Sequence, residues 1–126
     1  MAAPSVIERA LYGEWAEVVT KFGDVGDHCL LEFSLCREND QYQLLKLVVA
    51  PWDQEHRLRR IAVFPHVRLH QILQVARSED AQLPWGIIGF HSTEQPDGFW
   101  GFDLNCHAYR LTWDSKWPSI EFREIR

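Results

Sequence analysis

Basic residues and cysteines are scarce in this chain, and long apolar runs are missing altogether. Thirteen lysines and arginines stand against 18 aspartates and glutamates, giving a net charge of -5. A general nucleic-acid binder takes its affinity largely from phosphate neutralisation, so this balance argues against one. It suits a basic protein partner, because complementary charge steers association. Only three cysteines occur, Cys29, Cys36 and Cys106, with no CxxC spacing. That excludes a disulfide framework or a zinc ribbon and predicts free thiols in a reducing compartment. No apolar run reaches membrane-spanning length. The first residues, Met1 to Glu8, carry neither a positive region nor an apolar core, so no signal peptide is read there. The expected location is cytoplasmic. The nucleotide loops GxxxxGK[ST] and GxGxxG are absent, as is HExxH.

What is present is aromatic alternation. Trp100, Phe102 and Leu104 recur at every second position, and so do Tyr109, Leu111 and Trp113. Period two places each trio on one face of a strand, and a short turn between them makes a hairpin. Further upstream, His28 to Arg37 places Cys29, Leu31, Phe33 and Leu35 on one face. Glu38 to Gln41 forms a turn, and Tyr42 to Val49 follows with Leu45, Leu47 and Val49 inward. Pro51 ends that strand because it cannot donate to a ladder. Another strand is expected from Leu58 to Phe64. Residues 67 to 76 fit both a helix and a strand, and the reading favours a strand that frays into a short helix. Trp85 to His91 and Ser119 to Ile125 complete about seven strands, with a turn at Asp97-Gly98. Pro4 to Phe22 has helical spacing through Ile7, Leu11, Trp15, Val18 and Val19. At 126 residues the chain reads as a single domain, 1–126. The expected class is α+β: a predominantly antiparallel curved sheet or half-barrel with an N-terminal helical segment.

No constellation compels a reaction. His66 and His70 are four apart, a usable metal pair on a helix, but surface histidines are the plainer reading. Cys106-His107 lies at a hairpin turn with no visible means of lowering the thiol pKa. Arg57, Arg59 and Arg60, with Arg68 beyond them, more readily pair with neighbouring carboxylates than with phosphates. Asp97, Asp103, Asp114, Glu121 and Glu124 fall on turns or outward faces. Neither catalytic residues nor a metal or cofactor site are assigned. Of six tryptophans, Trp52 and Trp117 adjoin prolines in predicted loops, either as lids over the sheet or as interface anchors.

The segments Trp100 to Leu104, Tyr109 to Trp113 and Trp117-Pro118-Ser119-Ile120 resemble small bacterial immunity proteins of polymorphic toxin systems. The resemblance spans about forty residues. It implies a dedicated protein partner, possibly basic, and no catalysis. The leading expectation is therefore a non-enzymatic binding domain that neutralises a toxin. Contacts are expected at Trp52, Asp97, Asp103, Asp114 and Trp117. One alternative is a ligand-binding or enzymatic β-domain, with an aromatic cavity containing His91 or His107. Another is a structural subunit that forms a homodimer.

Overall fold

The computed structural model describes residues 28–52 and 58–125. These form seven strands: β1 (His28–Arg37), β2 (Gln43–Pro51), β3 (Leu58–Gln74), β4 (Trp85–Glu94), β5 (Trp100–Cys106), β6 (Tyr109–Ser115) and β7 (Ser119–Glu124). A 3₁₀ turn at Ser78–Asp80 sits between β3 and β4. The strands are antiparallel, and six of them close a ring in the order β2-β1-β4-β5-β6-β3, completed by the pairing of β3 with β2. No helix among the described residues is long and apolar enough to cross a membrane.

The expected α+β class is thus corrected to a nearly all-β closed barrel. The physical reason is closure. A ring of strands covers its own inner face, so the core does not call for a helix laid upon an open sheet. The predicted helical segment, Pro4 to Phe22, lies outside the described residues, as does the predicted connection at 53–57.

β3 is the element that makes closure possible. It is one strand of 17 residues rather than a strand followed by an ambiguous segment. Arg60 to Val67 pairs with β2 on one side, and Leu58 to Val63 pairs with β7 on the other. Past Pro65 and His66 the strand continues along β6, from Arg68 to Gln74. His66 takes a positive φ of 56°. That is an uncommon conformation for a residue with a side chain, and it marks the corner of the strand. β6 and β7 follow one another along the same side of β3. Between them the Lys116 N–H donates to the Pro65 carbonyl at 3.1 Å, and Pro118 interrupts the ladder.

The core is aromatic, and the two alternating trios build much of it. Phe102, Leu104, Leu111 and Trp113 are buried, with Trp100 and Tyr109 packed at its margin. Trp113 is fully enclosed. Its ring lies 5.1 Å from Phe64, edge to face, and 5.3 Å from Phe102, nearly parallel. Phe90 completes this group. Offset and edge-on contacts suit the ring quadrupoles. In β1 the expected inward set is altered by a register shift between Leu30 and Glu32. Leu30, Phe33 and Leu35 face the aromatic interior, whereas Cys29 pairs with Ala50 on the opposite face, where both are also buried.

Gly98 closes the β4–β5 turn at φ +82°, with Lys116 Nζ 3.1 Å from the place of a side chain. Gly98→Ala is expected to cost about 1–2 kcal/mol, chiefly from backbone strain, because the lysine tip can move aside. A denaturant titration measures this. An unchanged midpoint would mean that the turn relaxes without cost.

Candidate surface site on the outer face of β5, β6 and β3

The outer face of the barrel gathers charge where β3 has turned the corner. Cross-strand pairing aligns His91 with Asp103, Asp103 with Thr112, Gly101 with Asp114, and Asp114 with Arg68. Asp114 is the hub. It accepts from Gln95 Nε2 at 3.1 Å, lies 3.0 Å from His70 Nε2, and lies 3.5 Å from the Arg68 guanidinium. Its side chain is only 16% exposed, so these partners hold it in place. Arg68 also approaches Asp97 at 3.6 Å and lies over the Phe99 ring, 4.0 Å from its centre. Lys116 reaches the same ring at 4.5 Å. Two cations on one buried aromatic ring fix that end of the barrel. Beside it, Tyr42 stacks on His66, and His66 pairs with Glu38 through Nδ1.

Asp103 has its own partner. Arg110 donates to it through Nε at 3.1 Å and through an Nη at 2.6 Å, a two-point pair. The Arg110 pKa is raised above the usual guanidinium value, first by that hydrogen bond and then by the charge of Asp103. Between Asp103 and Asp114 the missing side chain of Gly101 leaves an open dent of about 310 Å³. His70, His91 and Thr93 also line it. A Cβ at Gly101 would meet Gln95 Nε2 at 3.1 Å and Asp114 Oδ1 at 3.5 Å.

The structure brings some of the sequence-selected residues together. Asp97 and Asp114 converge on Arg68, and Asp103 shares the dent with Asp114. Trp117 packs edge-on against Trp100, with ring centres 4.7 Å apart, at the same end of β5. Trp52 is elsewhere. It sits against Gly86, whose N–H donates to His107 Nδ1 at 2.7 Å. That corner adjoins the Cys106 end of β5, about 20 Å along the strand from Trp100 at roughly 3.3 Å per residue. His66 and His70 also part. His66 turns to Glu38 and Tyr42, and His70 to Asp114. No group of three or more His, Cys, Asp or Glu side chains fit to hold a metal occurs among the described residues. Cys106 is buried in the core, which pushes its thiol pKa up to about 12. Such a thiol is a poor nucleophile.

Arg68 pairs with carboxylates, as expected of the arginines, but its partners Asp97 and Asp114 are distant in sequence and come from two other parts of the fold. No local signal marks these partners, because Asp114 reaches Arg68 through the β3–β6 ladder and Asp97 from the β4–β5 turn.

No family model matches this chain, and neither the curated proteins nor the solved structures include a match.

Proposed function

We propose that this chain is a non-enzymatic protein-binding domain, and more finely a cytoplasmic immunity protein that neutralises a bacterial toxin by covering its surface. One observation carries the first part. The interior is occupied by stacked aromatic rings, with Phe64, Phe90, Phe102 and Trp113 all buried against one another. Recognition therefore falls to the outside of the barrel. The ligand-cavity alternative needs His91 or His107 within an aromatic chamber, whereas both are exposed on the outer surface. The finer part rests on the immunity-protein resemblance and on the net charge of -5.

In this reading Asp97, Asp103 and Asp114 form the encounter surface, with Trp117 as an anchor beside them and Trp52 as a separate contact. The three carboxylates are already held by Arg68 and Arg110, so the surface presents ordered charge and little of its rotamer freedom remains to be lost on binding. The first experiment is affinity capture from the native host with the intact chain as bait. A stoichiometric, toxic partner supports the reading. With that partner in hand, Asp97→Lys, Asp103→Lys and Asp114→Lys together should slow association about tenfold at low salt and flatten its salt dependence. An unchanged association rate would remove the acidic face from the interface.

A further inference from the structure

Between Phe64 and Val67 the β2–β3 ladder skips two residues. Its register passes from Leu45–Phe64 to Gln43–Val67, so Pro65 and His66 lie in a bulge that β2 does not pair. Their shared peptide is held by other groups, one at each end. Its carbonyl, on Pro65, accepts from the Lys116 N–H at 3.1 Å. Its N–H, on His66, donates to Glu38 Oε1 at 3.2 Å, and the same oxygen pairs with the His66 ring through Nδ1. A trans peptide is planar, with N–H and C=O pointing in opposite directions. Turning this plane over changes ψ of Pro65 and φ of His66 and moves little else. Phe64 and Val67, on either side, stay anchored in the core. The turn would relieve the positive φ of 56° at His66. It would also break both bonds, by aiming the carbonyl at the Glu38 carboxylate and the N–H at that of Lys116.

Glu38 is built into its place. Its own N–H and that of Asn39 donate to the Tyr42 carbonyl at 3.0 and 3.2 Å. Asn39 Oδ1 accepts from the N–H groups of Gln41 and Tyr42 at 2.8 and 2.9 Å. The Tyr42 ring then stacks on His66, with centres 5.0 Å apart. We propose that the Pro65–His66 peptide is a two-state switch, latched by the Glu38 carboxylate, whose state sets the connection between β6 and β7. Latched, it anchors Lys116, whose Nζ shares the Phe99 ring with Arg68, and beside it Trp117, packed on Trp100. Flipped, His66 takes an ordinary negative φ, the Lys116 N–H loses its acceptor and the connection loosens. The switch is a property of the chain alone. Only its consequence for a partner that contacts Trp117 rests on the function proposed above.

Amide hydrogen exchange on the intact chain tests the switch with no partner present. The Lys116 amide is the reporter. The Val75 amide, which donates to the Ala108 carbonyl at 2.9 Å, is the control for opening of the barrel. Glu38→Ala should lower protection of Lys116 about tenfold, the scale set by losing a hydrogen bond to a charged group, and leave Val75 unchanged. Glu38→Gln keeps a carbonyl acceptor and should fall between. Glycine takes a positive φ without strain, so adding His66→Gly to Glu38→Ala should bring Lys116 back to within about twofold of the native chain. Unchanged protection of Lys116 in Glu38→Ala would overturn the latch. So would an equal fall at Val75, which would make Glu38 a general stabiliser. Failure of His66→Gly to rescue would overturn it as well, because strain at His66 would then not drive the flip.

Discussion

Trp113→Ala is expected to lose about 3–5 kcal/mol of folding stability, the range for deleting a buried large aromatic side chain. A domain of this size has only about 5–15 kcal/mol in all, so the variant should be partly unfolded near body temperature. The size of the effect follows from position. Trp113 is the largest fully buried side chain, and it touches the rings of Phe64, Phe90 and Phe102 at once. These rings come from three different strands, so the cavity opens where the two halves of the barrel meet. Trp113→Phe should cost much less. The indole Nε1 is buried without a hydrogen-bond partner among the described residues. A buried, unpartnered N–H carries a desolvation penalty that phenylalanine does not. Its removal offsets part of the lost packing. Urea unfolding of the three proteins decides the matter. If Trp113→Phe is as damaging as Trp113→Ala, the lost volume matters more than the orphaned N–H, or that N–H is satisfied in solution.

The aromatic hairpin was legible because its alternation is uninterrupted. Trp100 to Leu104 and Tyr109 to Trp113 keep period two from end to end, and the ladder between them is regular from Trp100–Ser115 to Asn105–Arg110. The ambiguity at 67–76 has an equally local cause. The β3–β6 register shifts between Leu69 and Gln71. One extra residue turns a spacing of two into a spacing of three, so Leu69 and Ile72 both belong to the inward side, opposite Trp113 and Leu111. Read as sequence, that spacing imitates a helix. The shift between Leu30 and Glu32 misleads in the same way, by sending Cys29 and Phe33 to opposite faces. Closure of the ring was not legible at all. It depends on only two residue pairs between β1 and β4, Cys29–Gly86 and Leu30–Trp85, which no periodicity announces. The charge cluster was half legible. Asp97, Asp103 and Asp114 stood out as outward residues, but their arginine partners are chosen by the fold.

The three cysteines are expected to differ in reactivity by several orders of magnitude. Cys36 is exposed near the end of β1, while Cys29 and Cys106 are fully buried. A thiol reagent under native conditions should modify one equivalent quickly. The other two should react only as fast as the barrel opens, which a strongly folded core makes rare. Cys106 adds a dependence on pH whose sign is fixed by burial. Its pKa rises from 9.0 to about 12 because the core disfavours the thiolate. Below about pH 9 the thiol keeps its proton in both the folded and the unfolded chain, and stability does not depend on it. Above that point the unfolded chain gives up the proton and the folded chain retains it. Stability then falls by about 1.4 kcal/mol per pH unit until the folded value is reached. Lysines and tyrosines titrate over the same range, so the informative quantity is the difference between the native chain and Cys106→Ala. That difference should be constant from pH 6 to 8.5 and should move steadily in favour of the variant from pH 9 to 11. A flat difference curve, or rapid labelling of more than one thiol, would mean that water reaches Cys106 and that the barrel is looser at the β5–β6 turn than its packing indicates.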